Sequence, residues 1–306
     1  MRQLALLALL VAVAPGIAPY GPGQQFPGFQ YAPPMRPHVV DANGTWHRPF
    51  AYAVRVDDPL ERRYSEDRSV RVTSFSDPQP WFLLGSDALG RDVFSRLLIG
   101  ARLSLGIALT AALCALAFGA AVGALCGYAG GWIDALLMRL ADAVLVLPAI
   151  YVVLALRGAL PLVLETTEVF IALVAVLSLV GWPVVARGVR TILQVERQAE
   201  YAEAARASGA SQWRVMTRHL LPAARGFLGV QATVLVPAFV MAEATLSFVG
   251  LGFGQRTPSW GVMLSEASGQ IAADAPWLLA PAAAIVGTVF VVNAADAFRD
   301  RENRRG

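Results

Sequence analysis

Apolar residues in this chain gather in long runs. They follow neither the two-residue alternation of a half-buried strand nor the narrow stripe of a surface helix. The runs cover residues 4–18, 103–127, 133–156, 169–189, 227–249 and 277–295. A helix crosses the hydrocarbon core of a bilayer in roughly 20 residues, so the last five are long enough and the first is short. Outer-membrane strands would be about 10 residues each, with alternating polarity; these runs are too long and too uniformly apolar. The pattern predicts an all-α integral membrane protein of about six transmembrane helices, the fourth bent at Pro183.

The polar intervals set the predicted domains. Residues 1–19 read as a first transmembrane helix, truncated or signal-like: Arg2, an apolar stretch and Ala12-Val13-Ala14 resemble a secretory signal, but Pro15 directly after that site favours a helix. Residues 20–95 are rich in Pro, Arg, Asp and aromatics, and Asn43-Gly44 between β-prone flanks predicts a hairpin. This is a small extracytoplasmic loop subdomain. Residues 96–298 form a five-helix core interrupted by a polar loop at 190–225, and residues 299–306 form a tail.

Charge orients these elements. The chain is 56% apolar and 15% charged, against about 25% charged for a soluble domain. Its 25 basic residues are all Arg. Without Lys it cannot build the G-x-x-x-x-G-K-[ST] phosphate loop, so any ATP it uses is held by another chain. Arg187 at the end of the fourth span is followed by Arg190, Arg197, Arg206, Arg214, Arg218 and Arg225 before the fifth, and Arg299, Arg301, Arg304 and Arg305 fall in the tail; the short opposite loops carry Arg157 and Arg256. The positive-inside rule puts the first two groups in the cytoplasm.

The stretch "EYAEAARASGASQWRVMTRHLLPA" (200–223) therefore faces the cytoplasm. Its first part is Ala-rich and helix-prone. Gly209 permits a sharp turn, Ser211 suits an N-cap, and Pro222 ends the second helix. Two short helices at an angle are predicted, with Trp213 and Met216 presented on the second. Physics leaves two uses open: an amphipathic segment on anionic lipid, or a docking element for another protein.

Elsewhere, Arg139 and Asp142 lie three apart on the third span, and Glu243 lies in the fifth. Intramembrane charges mark a translocation path or an internal packing pair. The two Cys, Cys114 and Cys126, are about 18 Å apart on a helix, too far for a disulfide. His38, His47 and His219 show no metal spacing, and no nucleophile–base pair is apparent. The "GYAGGW" at 127–132 reads as a structural turn. "LGSDALGRD", with Asp87, Gly90, Arg91 and Asp92, reads either as a short interfacial helix at an external mouth, in contact with a delivered protein, or as a turn capping the second span. "GLGFGQRTPSWG" reads as a turn-rich external loop in which Pro258 shapes the turn and Trp260 suits the membrane interface.

Three motifs carry a resemblance. "EAARASG", nine residues, then "HLLP" is similar to the EAA loop of permease subunits of ATP-binding-cassette importers; Glu203, Ala204, Ala205, Gly209, Leu221 and Pro222 match, and His219 stands where an aliphatic residue is usual. "LLGSDALGRDVFSRLLIGARLSL" (83–105) and "AEATLSFVGLGFGQRTPSWGVML" (242–264) resemble the "C"-type subunit of the dipeptide, oligopeptide and nickel branch. The resemblance covers residue 83 to the C-terminus and implies a type I importer permease in a bacterial inner membrane. It implies no catalytic residues and no metal or cofactor on this chain, with ATP and Mg on two cytoplasmic P-loop ATPase subunits. It further implies a homologous second permease, an extracytoplasmic substrate-binding protein, surrounding lipid and no nucleic acid. Members of the branch move peptides, nickel chelates, opines or sugars. On the residues alone, a self-sufficient ion-coupled secondary transporter is the alternative.

Overall fold

The computed structural model describes residues 2–41, 43–58, 62–146, 148–159, 161, 164–255, 257–268 and 274–303. Arg256, Arg304 and Arg305, used above to orient the chain, lie outside them. The elements are α1 (Arg2–Ile17), β1 (His38–Val40), β2 (Trp46–Asp58), β3 (Arg63–Val72), α2 (Val93–Ala129), α3 (Gly131–Val146), α4 (Ala149–Gly158), α5 (Thr166–Glu196), α6 (Glu200–Ala207), α7 (Gln212–Arg214), α8 (Arg225–Phe248), α9 (Trp260–Ser268) and α10 (Ala280–Asn303).

Among the described residues, four helical stretches are long and apolar enough to cross a membrane: Val93–Ala129, Thr166–Glu196, Gln212–Phe248 and Pro276–Ala294. The other two predicted spans take different forms. The first is the 16-residue α1. The third is divided into α3 and α4 at Pro148, which holds an extended backbone (φ −58°, ψ 121°). Proline has no N–H to give to a helix and disfavours helical geometry in the residue before it. By contrast Pro183 is absorbed within the 31 residues of α5.

The chain divides into two compact units. One comprises Met1–Leu7, Gly106–Leu246 and Thr288–Gly306; the other comprises Ala8–Leu105 and Ser247–Gly287.

In the first unit, glycines set the helix packing. Gly119, Gly123 and Gly127 recur every fourth residue along α2, so they share one face. A Cβ on Gly119 would meet Val185 Cβ at 2.6 Å, on Gly123 the Ala186 carbonyl oxygen at 2.4 Å, and on Gly127 Leu193 Cβ at 2.8 Å. The backbones of α2 and α5 thus approach as closely as small residues allow, the usual solution where lipid gives no hydrophobic drive. On α5, Gly181 and Gly188 receive the rings of Phe239 and Phe227 from α8. Ser178 adds a hydrogen bond to the Ala111 carbonyl at 3.1 Å.

In the second unit, β1, β2 and β3 form an antiparallel sheet in that order. His38 pairs with Phe50 and Val40 with Trp46. Asp41 organises the intervening turn: its Oδ1 accepts from the N–H groups of Asn43 (2.9 Å) and Thr45 (3.0 Å), and Gly44 takes the left-handed φ of +78°. The central strand buries Phe50 through Val54 without a break. Ala51, Ala53, Val54 and Val72 meet Trp81, Phe82 and Met35 in an apolar core edged by Phe26, Phe29 and Phe75.

Candidate functional site

Two places gather the sequence-singled residues, one in each unit. The first is the polar loop between α5 and α8. Helix α6 ends in a Schellman motif: the Ala210 N–H reaches the Ala205 carbonyl (3.1 Å) and the Gly209 N–H the Arg206 carbonyl (3.0 Å), with Gly209 at φ +79°. That conformation favours glycine, and the two bonds satisfy carbonyls the helix end would otherwise leave open. Ser211 then caps the next helix, its Oγ accepting from the Arg214 N–H at 3.3 Å. From Val215 to Leu220 the coil widens to π-type turns, and from Leu221 to Ala224 it tightens to a 3-10 turn. Pro222 cannot donate to the Arg218 carbonyl, and its ring crowds that oxygen, so the regular bonding is interrupted here.

Anchors and free faces are separate in this loop. Ala202, Val215 and Leu220 are buried. Arg197 donates to the Tyr128 carbonyl (2.7 Å), and Arg206 to the Arg197 carbonyl (2.9 Å). Tyr201 donates to Glu196 at 2.5 Å, and partial burial together with that carboxylate pushes its hydroxyl pKa up to about 12. Glu203 and Ala204 face solvent, Ala205, Met216, Leu221 and Pro222 are half-buried, and Trp213 is 71% exposed. A Trp held outward on a capped, anchored turn presents a rigid apolar surface.

The second place is the "LGSDALGRD" segment. Residues 86–92 form a turn closed by a bridge between Ser86 and Asp92, not a short helix. Gly90 (φ +70°) brings the backbone so close to Phe26 that a Cβ would lie 2.4 Å from the Phe26 carbonyl oxygen. Asp92 caps α2, its Oδ2 accepting from the Ser95 N–H at 2.7 Å; burial raises its pKa against that bond.

Asp87, Arg91 and Arg96 form a buried charge cluster with Glu266 of α9. Asp87 Oδ1 accepts from the N–H groups of Leu89 (2.9 Å) and Arg91 (3.0 Å), and Oδ2 accepts from Arg91 Nε (2.7 Å) and from Arg96. Glu266 accepts from Arg91 at 3.1 Å and twice from Arg96, at 2.7 and 3.2 Å. Two cations and two anions balance, as buried charges require.

Trp260 departs from its expected interfacial place. It is 3% exposed, with its N–H on Ser104 Oγ (3.1 Å) and its indole N–H on the Leu97 carbonyl (3.1 Å). Gly100 leaves the slot it fills, and Pro258 beside it is buried. Glu266 went unread in the sequence; its signal is a lone acid in the apolar helix "WGVMLSEAS".

The intramembrane charges sort differently from their spacing. Arg139 and Asp142 do not pair with each other. Asp142 pairs with Arg187 of α5, while Asp134 takes both Nε and NH2 of Arg190 at 2.5 Å. Arg139 is exposed, and Glu243 is fully buried in α8. Among the described residues, no group of three or more His, Cys, Asp or Glu side chains is placed to hold a metal ion.

Comparison with known proteins decides the family. Residues 119–304 match the binding-protein-dependent transport system inner membrane component. The chain belongs to that family. Among similar relatives, the dipeptide transport system permease protein DppC of Bacillus subtilis is 38% identical over 246 residues, covering 80% of this chain and 75% of the relative. The glutathione transport system permease protein GsiD of Pectobacterium atrosepticum is 34% identical over 218 residues, 71% and 70% of the two chains. Among solved structures, the MetNI methionine ABC transporter in an inward-facing conformation aligns with a TM-score of 0.51 at 22% identity, covering 67% of this chain and 95% of that one. The membrane-spanning helices are thus those of a transport-system inner membrane component, and the chain is a permease of this family.

Proposed function

We propose that this chain is the non-catalytic permease subunit of an ATP-driven importer for peptides or related small solutes. It works with a homologous permease, two cytoplasmic P-loop ATPases that bind ATP and Mg, and an extracytoplasmic substrate-binding protein. The relatives named for dipeptide and glutathione transport support the substrate class. The observation that carries the coupling role is the exposed Trp213 on a turn fixed by the Gly209 Schellman motif and the Ser211 cap. ATPases closing on ATP would grip Glu203, Ala204, Ala205, Trp213 and Met216. The two short helices would then act as a rigid lever on α5 and α8, a rigid-body change of the kind interfaces transmit.

In this reading the loop containing Gly209 and the tail face the cytoplasm, and residues 20–95 face outward. The turn at Asp87, Gly90, Arg91 and Asp92, with Pro258 and Trp260, frames the external mouth. Glu243, Arg139 and Asp142 are the candidates for the path.

The test is recovery of the tagged chain from its own membranes in mild detergent, followed by uptake in proteoliposomes. Co-purification of a P-loop ATPase and a second permease, with uptake that needs ATP, is the expected result. A chain that purifies alone and moves solute on an ion gradient without ATP would overturn it.

A further inference from the structure

The "GYAGGW" turn between α2 and α3 lies in the same unit as the loop at Gly209, and a series of hydrogen bonds runs from one to the other. The Gly209 N–H reaches the Arg206 carbonyl at 3.0 Å. The Arg206 guanidinium donates to the Arg197 carbonyl at 2.9 Å. The Arg197 guanidinium donates to the Tyr128 carbonyl at 2.7 Å and lies 5.5 Å from the centre of the Tyr128 ring. Arg206 is in the last turn of α6, Arg197 is the C-cap of α5, and Tyr128 is in the last turn of α2. Three helix ends therefore meet at Arg197.

Side-chain packing does not place the turn. Gly130 and Gly131 both take φ +65°, and a Cβ on either would meet nothing within 4 Å. The anchors come from α5. Arg190 holds Asp134, in the first turn of α3, through Nε and NH2, both at 2.5 Å. Arg197 takes one of the carbonyls that the end of α2 leaves open. Seven positions apart, Arg190 and Arg197 share one face of the helix. A guanidinium that both donates to a carbonyl and lies over a ring makes a firm contact even at an exposed position. Each bond alone closes a helix end; in series they tie the turn to the loop.

We propose that Arg197 is a positioning residue for coupling: it fastens the α2–α3 turn to the loop at Gly209, so that the end of α2 and the start of α3 move with α6. The lever then acts on α2 and α3 as well as on α5 and α8, which the loop joins directly. The driving force rests on the importer reading; the joint does not.

Contacts become coupling only when the joined parts move together, and two measurements on the full chain test that. In the first, spin labels are placed at Ala129→Cys and Ala207→Cys, both exposed positions, with Cys114→Ser and Cys126→Ala removing the native thiols. The distance distribution is recorded in detergent without ATPase. It is narrow in the parent, broadens in Arg197→Met, and stays near the parent in Arg197→Lys, which keeps a donor and a cation. A width unchanged by Arg197→Met would overturn the joint. In the second, uptake per ATP hydrolysed is measured in proteoliposomes holding the complete importer. Arg197→Met lowers that ratio about fivefold, the lower end of coupling between sites, with ATPase binding and melting temperature unchanged, and Arg197→Lys restores most of it. A residue that only closed the end of α2 would leave the ratio unchanged, and that result would overturn the positioning role. Failure of the parent chain to use ATP would overturn the importer reading and leave the label result standing.

Discussion

Arg96 and Glu266, 170 positions apart, meet in a two-point ion pair, with Arg96 NH1 on Oε2 at 2.7 Å and NH2 on Oε1 at 3.2 Å. The pair ties the start of α2 to α9 and is shielded from solvent, with Arg96 2% exposed. Removing one partner of a buried pair strands the other charge, which costs about 3–5 kcal/mol. Glu266→Ala is expected to lower stability by that amount in thermal unfolding of the full chain in detergent. The double variant Arg96→Met/Glu266→Leu is expected to regain most of it, because no charge is then left unpaired. A double variant as unstable as the single one would show that the ion pair is not the source of the loss.

The glycine face of α2 gives a second expectation. A Cβ at Gly123 would sit 2.4 Å from the Ala186 carbonyl oxygen, a backbone atom that cannot turn aside. Gly123→Leu therefore has to push α2 and α5 apart, with an overpacking cost of about 1–3 kcal/mol or more. Gly229 in α8 has nothing within 4 Å of its would-be Cβ. Gly229→Ala is expected to stabilise by up to about 1 kcal/mol through helix propensity. Unfolding midpoints of the two variants should move in opposite directions.

Those two cases show what the sequence could and could not convey. The four long helices follow from length and apolar content, which a bilayer constrains directly. The turn at Gly209 and the cap at Ser211 follow from local backbone chemistry. Gly119, Gly123 and Gly127 were visible as a four-residue repeat, but their partner helix was not. The Arg96–Glu266 pair was invisible, because a hydropathy pattern has no term for which distant charges meet. Trp260 was misplaced for the same reason: whether an indole sits at a lipid interface or in a slot over Gly100 depends on a neighbour that local reading does not supply. Pro148 divides the predicted third span while Pro183 does not divide α5, so tertiary context decides what a proline does.

Asp41 makes the β1–β2 turn sensitive to acid. Hydrogen bonds from the Thr45 and Asn43 N–H groups and from His47, with the Arg71 guanidinium 3.0 Å away, hold its pKa down at about 2. A carboxylate whose folded pKa is depressed stabilises the fold above its unfolded pKa, roughly 3.9, and that contribution fades as pH falls through the folded value. The hairpin is expected to be insensitive to pH above about 4 and to loosen between about 4 and 2. Hydrogen exchange of the Asn43 and Thr45 amides checks this. Asp41→Asn should flatten the profile, and an unchanged profile in that variant would place the acid sensitivity elsewhere.

Trp213 supplies the sharpest test of the coupling loop, because its side chain can be removed without touching the fold. It is 71% exposed, while the residues that anchor the segment, Val215 and Leu220, are buried. Trp213→Ala should leave membrane insertion and the melting temperature unchanged. An aromatic anchor in a docking pocket is worth about 2 kcal/mol or more, so ATPase binding should weaken at least tenfold and ATP-driven uptake should fall with it. Gly209→Ala acts by another route. It leaves the docking surface in place but forces a Cβ into a left-handed backbone at about 1–2 kcal/mol, which loosens the angle between the two helices. ATPase binding should then persist while uptake per ATP hydrolysed falls. Measured side by side in proteoliposomes, the two variants separate a lost contact from a lost lever. If both transport like the parent chain, the loop is not the coupling element.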